Sequence, residues 1–179
     1  MYHKTKNMRY SLKSFLGLLL LVTLTYACTK DSLGSPEMEM EMEEENPSEV
    51  DGTIWTGANI SFSKTDSASP TVEANQDRIT DNVWITRGNN GGQIYNAKTE
   101  NSASKSNSPD DTEWAVGNIE SINDLDFKPF RSAIGKPQDV VGLDLVLHLI
   151  SDNIYLSVKF SDWSQSKGGG FAYTRSTAN

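Results

Sequence analysis

Leu145-Val146-Leu147-His148-Leu149-Ile150-Ser151-Asp152-Asn153-Ile154-Tyr155-Leu156-Ser157-Val158-Lys159-Phe160 is the stretch on which the fold turns. Its second half alternates: Ile154, Leu156, Val158 and Phe160 fall on one side, and Tyr155, Ser157 and Lys159 on the other. A period of two is that of a half-buried strand. The first half is apolar on both faces but for His148, and Ser151-Asp152-Asn153 are turn formers, so the whole reads as a β-hairpin. With Asp152-Asn153 as a two-residue turn, Leu149 is expected opposite Leu156, Leu147 opposite Val158 and Leu145 opposite Phe160. That face is apolar and must be core. The other face is expected to pair Ile150 with Tyr155, His148 with Ser157 and Val146 with Lys159.

Outward from this hairpin the chain continues as short strands and turns. Val83-Trp84-Ile85-Thr86-Arg87 and Gln93-Ile94-Tyr95-Asn96-Ala97 flank Gly88-Asn89-Asn90-Gly91-Gly92, which tolerates positive φ, and predict a second hairpin. Residues 54–62 alternate and are expected as one strand; residues 100–111 are polar and predict an exposed loop; Glu113-Trp114-Ala115-Val116-Gly117 is a short strand. Gly168-Gly169-Gly170 shapes a turn before a last strand, Phe171-Ala172-Tyr173-Thr174-Arg175. No long amphipathic helix and no fixed-period repeat is present. The expected fold is all-β: a single antiparallel β-sandwich or jelly-roll-like domain over residues 52–179.

The rest of the 179-residue chain has another character. Residues 1–27 carry Lys4, Lys6, Arg9 and Lys13 with no acid, then an apolar run from Phe15 to Leu24, then Thr25-Tyr26-Ala27-Cys28. The run is shorter than the roughly 20 residues that span a bilayer and suits a secretory signal. A small residue directly before the sole cysteine resembles the lipobox of bacterial lipoproteins, although Thr25 stands where such boxes usually have Leu. The resemblance implies that Cys28 is acylated and becomes the new N-terminus. Thr29 in place of Asp then implies sorting to the outer membrane, and Lys30-Asp31 half matches a surface-export signal. The alternative is an ordinary signal peptide cut near Ala27, leaving a free thiol. Residues 28–51 hold one base, Lys30, against nine acids, which predicts a solvated, disordered acidic tether rather than a packed element. About 24 flexible residues reach roughly 25 to 30 Å, enough to lift a domain clear of lipid headgroups.

Four phrases carry a further resemblance: Ile79-Thr80-Asp81-Asn82-Val83-Trp84-Ile85-Thr86-Arg87-Gly88, Ser108-Pro109-Asp110-Asp111-Thr112-Glu113-Trp114-Ala115, Val146 to Tyr155, and Gly168 to Thr177. They are similar to a domain of secreted and surface proteins of marine and gut bacteria. The resemblance covers essentially all of residues 54–177. It implies secretion and a compact β-domain, and carries no activity.

The net charge of -8 disfavours a nucleic-acid partner, since that affinity comes largely from Lys and Arg displacing counterions. One cysteine excludes an internal disulfide, no Gly-Lys-Ser/Thr phosphate loop is present, and one histidine outside the signal argues against zinc. Calcium has weak candidates in Asp77 and Asp81, Asp124 and Asp126, and Asp152 with Asn153, all turn residues first and none at the spacing of a calcium loop. No cofactor is expected. Glu113 beside Trp114 is the best single acid, because an indole raises a carboxyl pKa and sugars stack on aromatic faces; its plainer reading is a strand-edge acid beside a core tryptophan. Trp55, Trp84, Trp114 and Trp163 could form a carbohydrate platform, with two or three of them expected in the core. The candidate ligand contacts are therefore His148, Tyr155, Ser157, Glu113 and Trp114, with Cys28 for lipid. A Ser-His nucleophile can be imagined from Ser157 and His148, but nothing in the sequence specifies an orienting acid or an oxyanion hole. The expected function is an anchored binding or structural module engaging glycan or protein. The alternative is a small polysaccharide hydrolase, which would need two carboxylates converging in a deep cleft.

Overall fold

The computed structural model describes residues 50–179. The signal, Cys28 and all but the end of the tether lie outside the described residues.

Nine strands form an unequal sandwich. The large sheet runs in the order β2 (Ile60–Lys64), β9 (Phe171–Arg175), β8 (Ile154–Trp163), β7 (Asp144–Leu149), β6 (Thr112–Val116), all antiparallel, and β1 (Thr53–Trp55) joins β8 in parallel. The small sheet is β3 (Asp77–Arg78), β4 (Trp84–Arg87), β5 (Ile94–Asn96), also antiparallel. Its Ile85 and Ile94, with Ile79 and Val83 from the adjoining loop, pack against Trp114, Leu145, Leu147, Leu156, Val158, Phe160 and Phe171 of the large sheet in one core. The all-β sandwich expected from the alternation is the fold found, and helix is confined to short turns and one five-residue α1 (Phe130–Ile134). Phe130 of α1 fills a gap in the core, with its ring 5.0 Å from Trp114 and 6.1 Å from Phe160.

The decisive hairpin is present in a different register. Leu145 pairs with Val158, Leu147 with Leu156, His148 with Tyr155 and Leu149 with Ile154, two residues away from the expected pairing. The connection is four residues long, not two. Asp111 causes this: its carboxylate accepts from the backbone N–H and hydroxyl of Ser151, at 2.9 and 2.7 Å, and its carbonyl accepts from Ile150 N–H. Asn153 closes the loop at φ +50°, a conformation asparagine tolerates. A slip of two preserves side-chain parity, so the core face stays as expected while every cross-strand partner changes.

The single strand expected over residues 54–62 is two strands. Gly57 donates to the Thr177 carbonyl at 2.9 Å, and Thr56 N–H to the Asn179 side chain, which turns the chain from the edge of β8 to the edge of β9. Val50, read from sequence as tether, already packs on the domain and donates to Asn123 at 2.9 Å. The loop over residues 100–111 is tied down: Glu100 accepts from the backbone N–H groups of Asn96 and Asp110, and buried Gln93 donates to the carbonyls of Ser104 and Asn107.

Candidate functional site

The outer face of the large sheet gathers most of the residues singled out from sequence. Register aligns Glu113, His148 and Tyr155 in one row across β6, β7 and β8. Ala115, Val146 and Ser157 form the next row, and Asp144, Lys159 and Thr174 the one beyond it.

The first row is half covered. His148 stacks on Tyr155, with Phe127 edge-on to both rings at 6.0 and 5.5 Å. His148 Nδ1 is 3.8 Å from the Glu113 carboxylate and Nε2 is 3.4 Å from Asn153 Oδ1. Around Tyr155 and Val146 close Ile122, Leu125, Phe127, Val50 and Ile54, a second small apolar cluster outside the main core. Burial pushes the Tyr155 phenol pKa up, and the nearby charges of Glu113 and Asp51 add to the shift.

The third row is open. Between it and the 3-10 segment Ile119–Asp124 runs a polar groove of about 250 Å³ whose side chains include Asn59, Asn118, Asp144, Ser157, Lys159 and Thr174. Asp144 accepts from Lys159 Nζ at 2.8 Å, and Asn118 caps the 3-10 segment by accepting from Glu120 N–H. Amide, hydroxyl, carboxylate and ammonium are thus presented along one wall and floor, with little apolar surface between them. Among the lining residues only Asp144 is a carboxylate, and it is ion-paired.

Two expectations are corrected by this geometry. Trp114 is not a ligand contact: neighbouring strand residues face opposite ways, so Glu113 points outward while Trp114 is 1% exposed in the core, donating to Thr112 Oγ1. Glu113 therefore does not lie against that indole across the strand; its neighbour is His148. Ser157 is not paired with His148 but with Val146, and its backbone N–H donates to Ser176 Oγ, so the imagined Ser-His pair is not formed. The tryptophans are mostly core, as expected of two or three of them: Trp114 and Trp163 are buried, Trp55 packs on the core, and the charged groups of Arg78 and Lys98 sit 4.1 and 4.7 Å from the ring of Trp84.

Three of the calcium candidates are otherwise engaged. Asp77 binds Tyr173 and Arg175, Asp152 binds Thr80 and Asn82, and Asp126 pairs with Lys128. Among the described residues no three His, Cys, Asp or Glu side chains gather where they could hold an ion.

Asn59, Asn118, Asp144, Lys159 and Thr174 were not singled out from sequence. Asp144, Lys159 and Thr174 do fall on the outward parity of their strands, which is the one signal that could have found them; Asn59 and Asn118 come from connections whose course over the sheet leaves no local trace. Comparison with protein-family models, with curated proteins and with solved structures finds no match to the chain.

Proposed function

We propose that the domain is a binding module for neutral or weakly charged glycan, held at the outer membrane by lipid on Cys28 and presented on either its periplasmic or its cell-surface side. The observation that carries the reading is the polar groove over the third row. Sugar hydroxyls both donate and accept, and side-chain amides, hydroxyls and a carboxylate are the groups that match them. A protein partner engaging the same face is the second occupant, and nucleic acid is disfavoured by the charge of -8. A polysaccharide hydrolase gains less support, because the groove offers the single ion-paired carboxylate Asp144 where two are required.

Two measurements test the two halves of the proposal. A glycan array probed with the wild type and with Thr174→Lys, which fills the groove from a half-buried, outward-facing strand position, should give binding that the variant loses; equal binding by both would move the site elsewhere, and no binding to any glycan would leave the protein partner. Cys28→Ala should shift the protein from the membrane fraction to the soluble one, and a variant that stays membrane-bound would refute the lipid anchor.

A further inference from the structure

Arg87 and Arg131 line a second cavity, on a different part of the domain from the groove. Arg87, on β4, is 2% exposed and stacks on Trp163, its Cζ 4.0 Å from the ring. Nε donates to the Gly92 carbonyl, and Nη1 to the carbonyls of Ser164 and Gly170, at 3.2, 3.0 and 2.7 Å. Nη2 donates to no acceptor among the described residues. Arg131, in α1, is half-buried, and its guanidinium makes no hydrogen bond or ion pair among the described residues; its Nε is shielded from solvent with no acceptor. The two arginines line a solvent-open pocket of about 100 Å³ with Gln138, Gln165 and Ser166.

The acids nearby do not neutralise this pair. Asp66 and Asp162 act on Arg87 through space, but neither comes within ion-pairing distance of either guanidinium. The Asp66 carboxylate accepts from Gly170 N–H at 3.0 Å and from the Ser164 hydroxyl. Lys64, buried next to Arg87, is held by Asn89 Oδ1 and the Gly169 carbonyl. Arg87 and Arg131 thus make no ion pair among the described residues, both line the same small space, and the Nε of Arg131 is a buried donor without an acceptor.

Unpaired buried donors are costly and rare, most of all on a charged group. With a water taking roughly 30 Å³ of liquid, the pocket holds about three waters, or one tetrahedral anion in their place. An ester group carried on a sugar is as compact as the free anion. We propose that the pocket binds one compact oxyanion, a sulfate or phosphate group, through the free guanidinium edges of Arg131 and Arg87. Planar guanidinium forks match such anions in geometry as well as charge. The site is independent of the glycan groove and does not rest on it.

The test is titration calorimetry of the full-length protein in detergent with sodium sulfate, sodium phosphate and sodium chloride at equal ionic strength. Sulfate or phosphate should bind where chloride does not. Arg131→Met should weaken binding at least tenfold and Arg131→Lys less, because lysine keeps the charge without the fork. Gln165→Glu, an exposed change at the rim, should also weaken it by repulsion and covers the case in which the Arg131 variants fold poorly. Glucose 6-sulfate and glucose 6-phosphate separate the sources: tighter binding than the free ions assigns the site to an ester, weaker binding to the inorganic anion. Undetectable binding of both ions by the wild type, or equal affinity in wild type, Arg131→Met and Gln165→Glu, overturns the proposal.

Discussion

His148 lies flat on Tyr155, with ring centroids 4.1 Å apart and planes 2° from parallel, at directly paired positions of β7 and β8. The pair anchors the small apolar cluster that seals one end of the outer face, and Glu113 and Asn153 border the imidazole. We expect His148→Gln to lower stability by about 1 kcal/mol without abolishing folding, as for the loss of one ring contact or hydrogen bond. A double-mutant cycle of His148→Ala with Tyr155→Leu, read by urea denaturation, should give a coupling of about 0.5 to 1.5 kcal/mol. Additive effects would mean that the stack contributes nothing.

All three tyrosines of the described domain, Tyr95, Tyr155 and Tyr173, have phenol pKa values raised above the ordinary 10, in each case first through burial. Tyr173 is raised furthest, with the charge of Asp77 and its hydrogen bond adding to burial. In the folded state these phenols keep protons that the unfolded chain releases near pH 10, so stability must fall as pH rises past that point. In a chain of residues 50–179 followed by phenolate absorbance, little ionisation is expected at pH 10. The signal should then appear together with loss of the folded circular dichroism spectrum. Half-ionisation at pH 10 with the fold intact would show the rings to be accessible.

How far the sequence leads can be judged at particular residues. The strands carrying Leu145 to Leu149 and Ile154 to Phe160 were legible because a period of two depends only on local order, and their core face held even though the register slipped by two. The slip was illegible because Asp111, 40 residues from Ser151, sets the loop. Glu113, His148 and Tyr155 were each named from sequence for separate reasons, yet their alignment in one row required the pairing of three strands. At Trp114 the plainer reading held: strand parity puts the indole in the core and the neighbouring Glu113 carboxylate on the outer face. The oxyanion pocket left no trace at all, since Arg87 and Arg131 are brought together by the packing of α1 and the loop after β8.

Gly57 marks the switch between β1 and β2. A Cβ built there would collide with the carbonyl oxygens of Ala178 and Thr177, which the C-terminal segment places against it. Gly57→Ala should therefore detach residues 177–179 from the β1–β2 connection, with a cost of about 1 to 3 kcal/mol, typical of overpacking. Hydrogen exchange should show loss of protection at Gly57, whose N–H donates to Thr177, before any change in β7 or β8. Unaltered protection would mean that the C-terminal segment yields without cost.

Asp77 and Arg175 tie the small sheet to the large one. Arg175 Nε and Nη2 donate to the two carboxylate oxygens at 2.7 and 3.0 Å, Tyr173 Oη donates to one of them at 2.6 Å, and both charged residues are 6% exposed. Removing one partner strands the other charge in the interior, which typically costs 3 to 5 kcal/mol, a large part of a domain's usual margin of about 5 to 15 kcal/mol. Removing all of it, with apolar groups of similar volume, can cost nearly nothing. Arg175→Met and Asp77→Leu should each be strongly destabilising, while Asp77→Leu, Arg175→Met and Tyr173→Phe combined should recover most of the loss. If the triple variant were as unstable as the singles added together, the network would be supplying net attraction rather than mutual neutralisation. Denaturant midpoints of the four proteins decide between the two, because the small sheet has no other buried ion pair to the large one among the described residues.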